Sequence, residues 1–66
     1  MQITLNGKTR EIDSGCTIAE LLQVLNLKAE QVAVEHNHNI VMRTEFATCV
    51  LNEGDRIEVV NFVGGG

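Results

Sequence analysis

The sequence is short of basic residues, of paired cysteines and of long apolar runs, and each shortage removes a class of function. Five Lys and Arg stand against nine Asp and Glu, a net charge of −4. Nucleic-acid binders carry a basic patch or stripe, and none is visible here. The acidic balance suits a soluble protein that meets a more basic partner. No apolar stretch approaches the roughly 20 residues that a bilayer-crossing helix needs, so no membrane span is expected. The first residues lack the basic segment and apolar core of a secretory signal, and the expected location is cytoplasmic. Cys16 and Cys49 form neither a C-x-x-C pair nor a metal-ligand spacing. In a reducing compartment both are expected as thiols.

Catalytic groupings are also missing. The acids are scattered, and no nucleophile stands beside a base. His36 and His38 are two apart, which on a strand places both on one face and suits a metal, but no third ligand accompanies them. Both are read as surface histidines, and neither a metal nor a bound cofactor is expected. The glycine run at the end is followed by neither a helix nor a Lys, so it is not a phosphate-binding loop. A chain of 66 residues is one domain with a single-layer core and little room for an internal pocket. Function is therefore expected on the surface or at an end, not in a stand-alone enzyme site.

What is present is a clear succession of elements. Met1 to Leu5 alternates apolar and polar residues, the period of a half-buried strand. Asn6-Gly7 is a strong hairpin signal, because both turn positions need positive φ. Lys8 to Ile12 is the returning strand, and Asp13-Ser14-Gly15 a turn. Thr17-Ile18-Ala19-Glu20 is a capping box, with Cys16 and Leu21 spaced as a hydrophobic staple. Ile18, Leu21, Leu22 and Leu25 then form one apolar face of a helix ending near Asn26. Val32 to Glu35 reads as a strand, Asn37-His38-Asn39 as a turn, and Ile40 to Met42 as a short strand. Thr44 to Thr48 is expected to make a helical turn that holds Phe46 in the core, with Cys49 a small core residue and Leu51 beside it. Asn52 to Asp55 is the last turn and Arg56 to Phe62 the last strand. The economical layering is α+β, a mixed sheet of four to five strands with one helix across one face.

The end of the chain stands apart. Residues 1–62 read as the folded domain and residues 63–66, Val63-Gly64-Gly65-Gly66, as a flexible tail. Glycines have no side chain to bury and lose the most conformational freedom on ordering. They give slimness and reach, about 13 Å for four extended residues. The rival reading is a frayed end, since chain ends tolerate small residues. As a functional element, the tail would let a partner draw the Gly66 carboxylate into a narrow channel. An ionised carboxylate is a poor electrophile, so a leaving group must first be added. Adenylation by ATP is the usual route, and a partner must bring the ATP site. In the last strand Ile57 and Val59 are assigned to the core. Arg56, Glu58, Val60 and Phe62 face the other way, and Val60, Phe62 and Val63 are taken as the partner-binding surface nearest the tail.

Asn39-Ile40-Val41, Arg43, Gly54-Asp55-Arg56-Ile57-Glu58-Val59-Val60 and the closing Val63-Gly64-Gly65-Gly66, at this length, resemble the ThiS family, the sulfur carriers of thiamin (thiazole) biosynthesis. Met42 departs from the family, which often has Pro before the Arg. The resemblance implies a β-grasp, ubiquitin-like fold with the first and last strands parallel at its centre. It implies that a ThiF-like adenylyltransferase activates Gly66, with Gly64 and Gly65 needed beside it. Sulfur from a cysteine desulfurase persulfide then gives a thiocarboxylate, which the thiazole synthase ThiG consumes. Two other readings share the fold: a sulfur carrier of another pathway, such as the small subunit of molybdopterin synthase, and a ubiquitin-like protein modifier.

Overall fold

Strand β1 (Gln2–Leu5) turns back at Asn6-Gly7 into β2 (Lys8–Glu11), and the two-residue loop is closed by the Leu5 and Lys8 pair. Asn6 and Gly7 take φ of 49° and 83°, the left-handed values expected of this dipeptide. The computed structural model describes residues 1–62; the Val63–Gly66 stretch read as a tail lies outside the described residues.

Helix α1 (Ile18–Val24) begins where the sequence places it. Thr17 Oγ1 accepts from the Glu20 amide at 3.2 Å, and Glu20 Oε1 accepts from the Thr17 amide at 2.9 Å. The helix ends through Asn26, whose φ of 60° lets the Leu27 amide donate to the Leu22 carbonyl and its own amide to Gln23. That is a Schellman closure with Asn in the position usually held by Gly. Ile18, Leu21 and Leu22 are buried, while Leu25, expected on the same face, is only half-buried.

A short 3₁₀ turn (Ala29–Gln31) leads into β3 (Val32–His36), which pairs with β4 (Asn39–Val41). Their loop is tighter than the sequence implies, since only Asn37 and His38 lie between the His36 and Asn39 pair. Both have positive φ, 50° and 73°. A second 3₁₀ turn (Arg43–Glu45) carries Phe46 into the core, and β5 (Arg56–Asn61) closes the domain.

The sheet order is β2-β1-β5-β3-β4. β5 lies at the centre, parallel to β1 and antiparallel to β3. Ile3, Val32, Val34, Ile57 and Val59 face α1 and join Ile12, Phe46 and Leu51 in one buried cluster. The parallel ladder is extended past Leu5 by a side chain. Asn6 Oδ1 accepts from the Val59 amide at 2.8 Å, and its Nδ2 donates to the Val59 carbonyl at 3.2 Å. The turn residue thus reproduces a backbone amide and ties the first hairpin to the last strand.

Candidate functional site

Alternation along β5 builds the exposed face. Ile57 and Val59 are buried, so Val60 and the following Phe62 emerge on the open side of the sheet, 60% and 62% exposed. Register adds what the sequence alone did not show. Val60 stands opposite Ala33, Glu58 opposite Glu35, and Ile40 opposite Glu35 on its other side. The open face therefore has an apolar strip of Ala33, Val60 and Phe62, with two carboxylates paired across strands beside it. Like charges directly opposite one another are unfavourable, so this pair gains from a cationic group brought by a partner. Ala33 and Ile40 were missed because pairing register cannot be read from composition. Of the residues expected to act, Val60 and Phe62 are where the sequence puts them; Val63, Gly64, Gly65 and Gly66 lie outside the described residues.

A second grouping lies where the β3–β4 loop meets the last turn. Asp55 is buried. Its Oδ2 accepts from the Asn52 amide at 2.8 Å and from His36 Nε2 at 2.7 Å, and its Oδ1 accepts from Asn37 Nδ2 at 3.2 Å. Asn37 in turn accepts from the Arg56 amide at 2.8 Å through Oδ1. Cys49 Sγ lies 3.7 Å from His36 Nδ1. His36 is therefore not the surface residue expected: its ring is packed between Asp55 and Cys49. His38, in the loop with positive φ, is exposed and does not share its environment. Cys49 is half-buried at the core margin. Among the described residues no group of His, Cys, Asp and Glu is arranged to hold a metal ion.

Burial works against the Asp55 charge, but hydrogen bonds from His36, the Asn52 amide and Asn37 outweigh it and hold the carboxyl below its ordinary value. A carboxyl with a depressed folded value contributes stability that is complete above the unfolded value, about 3.9, and is lost as the pH falls through the folded one. Urea midpoints are thus expected to drop on acidification below pH ~4, with a shallower drop in Asp55→Asn than in the parent. Equal acid slopes would show that Asp55 does not carry this dependence.

A mixed sheet with parallel, adjacent first and last strands, crossed by one helix, is a β-grasp domain. The ThiS family model matches residues 3–66, and the chain belongs to the ThiS family. It is 46% identical over 66 residues to the thiazole synthase of Magnetococcus marinus, but spans only 20% of that protein's length. It is 32% identical to the sulfur carrier protein ThiS of Escherichia coli, with 100% of both chains covered. The crystal structure of the thiamine biosynthesis protein ThiS from Geobacter metallireducens superposes with a TM-score of 0.85 at 36% identity, covering 100% of both chains. No helix among the described residues is long and apolar enough to cross a membrane.

Proposed function

We propose that this chain is a sulfur carrier that works at the Gly66 carboxylate. A ThiF-like adenylyltransferase binds the ATP and forms the acyl-adenylate. Sulfur from a cysteine desulfurase persulfide displaces AMP and leaves a thiocarboxylate, which a thiazole synthase of the ThiG type takes up. The chain is a co-substrate in this scheme: it brings the carboxylate and a docking face, and partners bring the catalysis. The observation that carries the reading is a family match that runs through Gly66, on a β-grasp fold whose last described strand is the central one. A thiazole synthase containing a stretch 46% identical to this chain supports the pairing of carrier and synthase. The acidic, partly apolar open face fits a partner with an apolar patch rimmed by Lys or Arg.

The test is intact mass after incubation with ATP, the adenylyltransferase and a persulfide donor. A gain equal to one oxygen-to-sulfur exchange, located on the peptide of residues 57–66, is the expected result; no gain on that peptide overturns the reading. In the same assay Phe62→Asp is expected to weaken binding to the adenylyltransferase by about tenfold or more, the loss of one truncated interface anchor. Its thermal midpoint should stay near that of the parent, because Phe62 is 62% exposed. A parallel loss of stability would place Phe62 in the core and remove it from the interface.

A further inference from the structure

Cys49, His36 and Asp55 come from three different segments, and nothing in the carrier scheme uses them. Their hydrogen bonds have a definite direction. The Asp55 oxygens accept, so His36 Nε2 carries the hydrogen across the 2.7 Å contact. In the neutral ring Nδ1 is then the acceptor, and it faces the Cys49 thiol at 3.7 Å. The order is thiol, imidazole, carboxylate: a nucleophile, a base and the group that orients the base. The parts are held in place by backbone. The Cys49 amide donates to the Glu45 carbonyl at 2.9 Å, the Cys49 carbonyl accepts from the Ile18 amide at 3.1 Å, and His36 is paired within β3 to both β4 and β5.

We propose that Cys49 is a base-assisted nucleophile toward sulfur–sulfur bonds, and the site at which this chain is modified by small persulfides or disulfides. In the step, the thiol proton passes to His36 Nδ1 as the Cys49 sulfur attacks. With a persulfide the outer sulfur is attacked, the donor's S–S bond breaks, and a new S–S bond forms on Cys49. The donor leaves as a thiolate with the electron pair and takes the proton back from the imidazolium. A disulfide reacts in the same way and leaves a mixed disulfide. No outside oxidant or reductant is required, since one S–S bond is exchanged for another.

The thiol contacts His36, and the charges of Asp55 and Glu45 act on it from nearby. Burial, followed by the Asp55 and Glu45 charges, pushes the thiol above its ordinary range. Free thiolate is therefore scarce, and reactivity has to come from proton transfer to His36. Cys16 is a control within the same molecule. It is similarly half-buried, and burial, Glu20 and Asp13 push its thiol up as well. Its Sγ donates to the Thr17 carbonyl at 3.3 Å, an acceptor that cannot carry a proton away.

The experiment treats the whole chain with glutathione persulfide in one arm and glutathione disulfide in the other. Modification is followed on the tryptic peptides of residues 11–28, which holds Cys16, and 44–56, which holds Cys49. Cys49 is expected to react about 100-fold faster than Cys16 in at least one arm, the lower end of what a positioned general base contributes. The arm that shows the preference identifies the donor, as one added sulfur atom or a glutathione adduct. His36→Asn is expected to bring Cys49 down to the Cys16 rate while leaving Cys16 unchanged. Mere loosening of the fold would instead speed both. Equal rates at the two cysteines of the unmodified chain in both arms overturn the proposal. The proposal goes beyond the carrier reading and fails separately from it, because sulfur on Gly66 appears on the peptide of residues 57–66.

Discussion

Deleting Gly65 and Gly66 is expected to abolish formation of the acyl-adenylate while leaving the thermal midpoint nearly unchanged. The stability half follows from where the core lies: every buried residue among those described is at or before Val59. The activity half follows from length. Two residues shorten the extended reach by roughly 7 Å, whereas a misplacement of ~1 Å already costs about 100-fold in rate. Gly65→Val is the finer test. It keeps the length but adds a branched Cβ where the partner is proposed to grip bare backbone, so activation should fall sharply with the free protein unaffected. ATP-dependent adenylate formation and the later gain of sulfur are the two readouts. If the shortened chain still gained sulfur at its new terminus, the glycines would be only an end of the chain and the carrier reading would fail.

Leu22→Ala should remove much of the domain's stability. Leu22 is 2% exposed on the one α-helix among the described residues, between that helix and the sheet. Truncating a leucine so placed loses transfer free energy and leaves a cavity, together about 2–5 kcal/mol. A domain of 66 residues has in total only about 3–10 kcal/mol. Urea unfolding should therefore show a large loss of midpoint. Val24, on the same helix but 64% exposed, is the control, and its change to Ala should stay within about 0.5 kcal/mol. A Leu22→Ala loss below about 1 kcal/mol would mean that the helix presents a different face.

The elements that the sequence made legible are those specified within a few residues. Asn6-Gly7 needed only its own φ preferences, and the Thr17–Glu20 box only its own side chains. Period-two alternation placed Ile57 and Val59 inward and Val60 and Phe62 outward. The family resemblance, by contrast, supplied the parallel pairing of β1 with β5, since no local pattern dictates which strands become neighbours. What stayed hidden depends on contacts between distant segments. Asn52 to Asp55 is recognisable as a turn, and an Asp bonding to nearby backbone in a turn is common. That Asp55 would also receive His36, 19 residues away, is a product of the β3–β5 register. His36 was misread for that reason, and Cys49 was assigned to packing because its imidazole neighbour comes from β3. His38 gave no glycine-like signal for the left-handed conformation it adopts.

The position of β5 also determines how the chain bears load. Force applied at the C-terminal side of β5 while the N-terminus is held would slide that strand along β1, straining their parallel hydrogen bonds in shear together. Peeling an edge strand breaks such bonds one after another. Here β3 grips the other side of β5 from Ile57 to Asn61, and the Asn6 side chain adds a further clamp at Val59. Load entering at the end of β5 is therefore shared at once by β1, β3 and the Asn6 side chain, instead of falling on one hydrogen bond at a time.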